Sequence, residues 1–178
     1  MFYVMGKRKE TKFIVFHCTA SQPDATVASI KAGWKKKGWK NPGYFALVAS
    51  DGTIEYLADE DNITNGAKGY NYCSVHVAYI GGIDENGNGM DTRTSEQKES
   101  LRKLLTALKK DYPDALVIGH RDLSPDLDGD GEIEPHEWIK LCPSFEVSDW
   151  LEEVKLKNLT DVVINAIKKV VDNTEENE

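Results

Sequence analysis

No apolar run in this chain approaches the roughly 20 residues that a helix needs to cross a bilayer, so stable membrane insertion is not expected. The opening stretch, MFYVMGKRKETKFIVFH, has neither the apolar core nor the small-residue cleavage site of a secretory signal. Synthesis is therefore expected to leave the protein in the cytoplasm. A basic surplus is also missing: Lys and Arg total 22 against 30 Asp and Glu, a formal net charge of −8. Nucleic acid is not expected as a partner, because phosphate binding needs clustered cations. Cysteine is sparse and odd in number. Cys18, Cys73 and Cys142 form no even disulfide framework and suit a reducing compartment. No internal repeat is visible.

What is present fits an α/β domain. At 178 residues and 40% apolar content, the chain can bury one full core. Lys12 to His17, KFIVFH, is β-branched and aromatic and predicts a buried strand that ends on His17. Thr26 to Lys37 predicts an amphipathic helix, with Asp24 as its cap and Gly38 as its stop. GYFALVAS and TIEYLA flank Asp51-Gly52, a two-residue hairpin signal. Val75 to Ile80 predicts another buried strand, followed by a glycine-rich loop from Gly81 to Gly89. Thr94 with Gln97 is a capping-box pattern, and Leu101, Leu104, Leu105 and Leu108 form the stripe of the helix it opens. Ala115 to Gly119 predicts a short strand that delivers His120. Ser144 to Lys155 reads as a helix with Phe145, Trp150, Leu151 and Val154 facing inward. Strands alternating with helices indicate a single α/β domain with a central mixed sheet flanked by helices.

Two histidines and one cysteine carry the chemistry. His17 ends an apolar run, His120 sits in GHRDLSP, and Cys142 sits in KLCPSF. Two imidazoles and a thiolate make a three-ligand zinc set, which leaves the fourth tetrahedral position open, as in catalytic rather than structural zinc. Zinc at such a site lowers the pKa of its bound water to about 7 and polarises a carbonyl, so hydrolysis is expected. Cys18 follows His17 directly, and strand alternation should turn it to the opposite face. His76 and His136 are read as ordinary core or surface histidines.

The segments FIVFHCTASQP, Gly43-Tyr44, DGTIE, AKGYNYCSVHVAYIGGID, GHRDLSP and KLCPSFEVSDWL together resemble the zinc-dependent N-acetylmuramoyl-L-alanine amidases. That superfamily is shared by phage lysozyme-type amidases and the peptidoglycan recognition proteins. The resemblance runs from about Lys12 to Trp150. It implies a zinc site in a surface groove, with His17, His120 and Cys142 as ligands and Tyr44 and Lys140 as the catalytic pair. It also implies cleavage of the bond between N-acetylmuramic acid and L-alanine in bacterial peptidoglycan by a phage or prophage endolysin, which reaches the wall after release by a pore or delivery system. A non-catalytic peptidoglycan-binding or regulatory protein of the same fold is the competing reading, and the retained cysteine speaks against it. Phe45 stands where many relatives carry a histidine, and it is expected to alter pocket polarity. The protein is read as a monomer.

Between His120 and Cys142 lies an acidic loop, 126–137. Asp126, Asp128, Asp130, Glu132 and Glu137, with Gly131 at the sixth position, follow EF-hand loop spacing, so calcium is a candidate second metal. The flanking EF helices are missing. Residues 1–157 are expected to form the amidase domain, and 158–178 a C-terminal amphipathic helix and acidic tail, with Val163, Ile164, Ile167, Val170 and Val171 on one side.

Overall fold

The computed structural model describes residues 6–155. The expected C-terminal helix and acidic tail lie outside the described residues. By contact density the chain divides into two compact units, Met1–Phe145 and Glu146–Glu178. The first holds a five-stranded sheet in the order β3-β2-β4-β1-β5. Its strands are β1 (Phe13–Cys18), β2 (Ala46–Val48), β3 (Ile54–Tyr56), β4 (Ser74–Tyr79) and β5 (Leu116–Gly119). β1 lies between β4 and β5 and is parallel to both. β2 is parallel to β4 and antiparallel to β3, which makes the sheet mixed as expected.

Burial follows from sequence. β1 and β4 are apolar runs interrupted by single histidines, and both are buried almost along their full length, as strands parallel to two neighbours should be. Helix α1 (Val27–Lys36) covers Leu47, Ala78 and Ile80 with Val27 and Ile30. Thr26, rather than Asp24, caps it: the Thr26 hydroxyl accepts from the Ser29 N–H at 3.1 Å, and the Ser29 hydroxyl accepts from the Thr26 N–H at 3.2 Å. Helix α2 (Ser95–Asp111) packs against β2 and β4 through its leucine stripe. The Thr94–Gln97 capping box forms as expected, and the same Gln97 amide donates to the carbonyls of Val48 and Ile80. One side chain thus caps α2 and ties it to the sheet.

The hairpin differs from expectation. Ala49 N–H bonds to the Thr53 carbonyl at 2.9 Å, so the loop is the three residues 50–52, with Gly52 at φ 83°. Asp51 Oδ1 accepts from the Thr53 N–H, which spends Asp51 on closing the loop rather than on a two-residue turn. In the second unit, residues 147–155 form a helix (α3) that buries Val147, Trp150 and Val154.

Leu101 is fully buried in α2. Leu101→Ala should therefore lower the unfolding free energy by about 2–5 kcal/mol, measured by denaturant titration with unchanged slope. A loss below about 1 kcal/mol would mean that α2 does not seal the sheet as described.

Candidate metal centre

The strand register builds the site. β5 pairs with β1 as far as Gly119 opposite Phe16, so His17 and His120 follow at neighbouring strand ends. A 3₁₀ turn (His120–Leu123) begins there. The third residue, Cys142, arrives from the segment after the acidic loop. Its carbonyl accepts from the Arg121 N–H at 2.9 Å, the Tyr79 hydroxyl donates to the Pro143 carbonyl at 2.9 Å, and the Ser144 hydroxyl donates to the Gly82 carbonyl at 2.9 Å. These bonds pin Cys142 beside the sheet end.

His17, His120 and Cys142 offer three ligand atoms within 4.8 Å of one another. His17 Nδ1 lies 3.1 Å from His120 Nδ1 and 3.6 Å from Cys142 Sγ. Tetrahedral zinc, with nitrogen at about 2.0–2.1 Å and sulfur at about 2.3 Å, requires N···N near 3.3 Å and N···S near 3.6 Å. The donor set fits.

The protonation states fit as well. Burial holds His17 far below the ordinary imidazole range, with His76, His120 and Lys140 adding to it. Burial and then the Lys140 cation bring His120 down to about 4. Both rings are therefore neutral near pH 7, as metal ligation requires. The hydrogen bond that the Cys142 thiol donates to the Cys18 sulfur, and then burial, push the Cys142 thiol up, so ligation of a metal there would have to displace its proton.

The expected catalytic pair is brought to the same place. Tyr44 sits with its ring 5.1 Å from that of His17, and its hydroxyl donates a long 3.4 Å bond to the Cys18 carbonyl. Burial raises its pKa, with any negative charge on the Cys142 and Cys18 sulfurs adding. The phenol is thus a neutral O–H donor. Tyr44, His120, Lys140 and Cys142 line a cleft of about 220 Å³, and His120 and Lys140 also line an adjoining cleft of about 450 Å³. Lys37, Lys68 and Lys140 are the charged side chains of these walls, and no acidic side chain lines either cleft. The walls therefore invert the sign of the whole chain.

Four expectations need correction or refinement. Phe45 lines neither cleft; its ring packs on Tyr56 at 5.3 Å, so it does not set pocket polarity. Cys18 stays out of the ligand group, yet it is not turned away from the site. Its N–H donates to Cys142 Sγ at 3.3 Å and its thiol meets the Ser144 hydroxyl at 3.6 Å. Of the five acids expected to hold calcium, only Asp126, Asp128 and Glu137 converge as one group. Asp130 Oδ1 accepts from the Glu132 N–H, Asp126 takes the N–H groups of Gly129 and Gly131, and Glu137 takes those of Leu127 and Glu134. His76, read as an ordinary histidine, is buried in the core, and its Nδ1 lies 3.0 Å from His17 Nε2. The register explains the contact: His76 pairs with Val15 and His17 with Ala78, so both imidazoles share one face.

The chain is similar to known amidases and endolysins. Residues 7–137 match the N-acetylmuramoyl-L-alanine amidase family Amidase_2. The chain is 37% identical over 152 residues to the endolysin of Klebsiella phage KP32, and 34% identical over 152 residues to that of Escherichia phage T7. Each alignment spans 84% of this chain and 91% of the relative. Among solved structures, the Ph2119 endolysin from the Thermus scotoductus MAT2119 bacteriophage superposes with a TM-score of 0.65 at 24% identity, over 86% of this chain and 91% of that one. The peptidoglycan recognition protein PGRP-SA of Apis mellifera superposes at 0.59 and 18% identity, over 85% of this chain and 87% of that one. The fold is thus that of the amidases and peptidoglycan recognition proteins. The chain belongs to the N-acetylmuramoyl-L-alanine amidase family, and it is a peptidoglycan amidase.

The depressed imidazoles give a pH signature. The unfolded chain takes up protons on histidine below about pH 6.5, while folded His120 does so only near about 4. This contribution to the stability of the metal-free protein is complete above about pH 6.5 and is lost as pH falls towards 4. Between about pH 7 and 5, the metal-free wild type should lose roughly 2 kcal/mol more than His120→Asn, as measured by denaturant unfolding. Equal losses would contradict a buried, neutral His120.

Proposed function

We propose that this amidase is a zinc-dependent endolysin that hydrolyses the amide between the lactyl group of N-acetylmuramic acid and L-alanine of the stem peptide. The observation that carries the reading is the three-ligand set of His17, His120 and Cys142, spaced for tetrahedral zinc and opening on a cleft. When bound, zinc supplies Lewis acidity and an activated water at neutral pH.

The chain's own residues do the rest. Tyr44, neutral and loosely bonded to the Cys18 carbonyl, donates its O–H to the oxygen on which negative charge develops. Lys140, exposed at the rim shared by both clefts, brings a positive charge to the same oxygen. Lys37 and Lys68 extend that positive wall and favour the carboxylates of a stem peptide over the acidic bulk of the protein. His120 and Cys142 form part of the cleft wall, so substrate can meet the metal position directly.

The protein is proposed to work as a monomer and to reach the wall through a pore or delivery system. Among the described residues, no helix is long and apolar enough to cross a membrane. Purified peptidoglycan should release stem peptides with a free L-alanine amino terminus. Release should stop with a chelator, resume with zinc and be absent in Cys142→Ser. Tyr44→Phe should retain zinc and lose about 10²–10³-fold in kcat, as removal of one oxyanion donor does. A zinc-loaded wild type that binds peptidoglycan without releasing peptide would instead establish the non-catalytic reading.

The acidic loop is proposed to take calcium through Asp126, Asp128 and Glu137. Calcium should raise the melting temperature of the wild type and leave an Asp126→Asn, Asp128→Asn double variant unmoved. Identical melting curves of the wild type with and without calcium would end that proposal.

A further inference from the structure

His17 has two ring nitrogens with different tasks. Nδ1 faces His120 Nδ1 at 3.1 Å and Cys142 Sγ at 3.6 Å, so this nitrogen must present its lone pair to a metal. The proton of the neutral ring then belongs on Nε2. His17 is only 1% exposed, so that N–H cannot turn to water and needs an acceptor inside the protein. His76 Nδ1, at 3.0 Å, is in position to accept.

Two further observations single out His76. If its Nδ1 accepts, its own proton must sit on Nε2, and that atom is buried without a hydrogen-bond partner among the described residues. Among the described residues that atom lacks a partner in either tautomer of His76, so the direction of the bond is set at the His17 end, where Nδ1 faces His120 and Cys142. Gly66 makes room for the His76 ring: a Cβ built there would fall 2.2 Å from His76 Cγ. His76 is itself fully buried on β4, where any apolar residue would satisfy the sheet.

We infer that His76 is a positioning residue for the metal centre, fixing His17 as its Nε2-protonated tautomer so that Nδ1 is aimed at the metal. The inference rests on the zinc reading above. Reversal of this one hydrogen bond would move the His17 proton to Nδ1 and block ligation. Metal-bound histidines commonly donate their second N–H to a carboxylate, a carbonyl or water; here an imidazole takes that place.

The test is zinc affinity of the intact protein by chelator competition, with cobalt substitution as a spectroscopic readout. His76→Phe keeps a planar ring but has no acceptor, and it should bind zinc about 10–100-fold more weakly and shift the cobalt ligand-field bands. His76→Asn, whose amide oxygen can accept, should restore both. Wild-type affinity in His76→Phe overturns the inference, and so does equal weakening in both variants, which would indicate packing alone. Long-range ¹H–¹⁵N correlation on the zinc-loaded wild type decides the matter without any variant: a proton on His76 Nε2 and a bare Nδ1 support it, and the opposite tautomer refutes it. A wild type that binds no zinc overturns the zinc reading and this inference together. Zinc bound by the wild type and lost in Cys142→Ser, with His76→Phe unaffected, overturns only the role of His76.

Discussion

The parallel pairing of β1 between β4 and β5 is the constraint on which the chemistry depends. Its register on one side ends at Phe16 opposite Gly119, which makes His17 and His120 neighbours across 103 residues of sequence. Its register on the other side sets His76 opposite Val15, one step diagonal from His17. A slip of one residue on either side would turn a histidine to the wrong face of the sheet. The apolar residues of β1 and β4 hold that register by being buried, so the core and the site are specified by the same contacts.

Burial is also what prepares the proposed ligands. An imidazole in water is partly protonated near neutrality; sealed at the end of a dry sheet, both ligand rings stay neutral. Cys142 differs, since the hydrogen bond that it donates to the Cys18 sulfur, and then burial, favour its thiol, and a cation is needed to draw off the proton. The site thus holds two donors ready and a third that commits on metal binding. Around it, the lysine-bearing cleft walls oppose the net charge of −8 of the chain as a whole.

Much of this was legible in sequence because it depends on short-range patterns. The β-branched runs of β1 and β4, the Thr94–Gln97 capping box and the leucine stripe of α2 are local signals, and the structure carries all of them. Competition among local partners was not legible: Thr26 displaced Asp24 as a cap because Ser29 could reciprocate, and Asp51 closed a longer loop through Thr53. That His17, His120 and Cys142 come together as one possible metal-holding group was readable from residue type and setting. His76 was not, because its role depends on which strand lies beside β1 and in which register. Cys18 shows the limit of strand alternation, which fixes the face a side chain leaves but not what a distant segment brings to meet it. In the acidic loop, spacing alone could not tell that Asp130 would turn to the Glu132 N–H rather than join Asp126 and Glu137.

The central claim is that His17, His120 and Cys142 hold one tetrahedral zinc with a position left open. Zinc-edge X-ray absorption of the zinc-loaded protein tests it most directly. The account predicts one sulfur at about 2.3 Å and a shell of light scatterers at about 2.0–2.1 Å that fits two imidazoles and one water oxygen. Two sulfurs would mean that Cys18 completes a closed structural site, and no sulfur would remove Cys142 from the metal; either result would contradict the account.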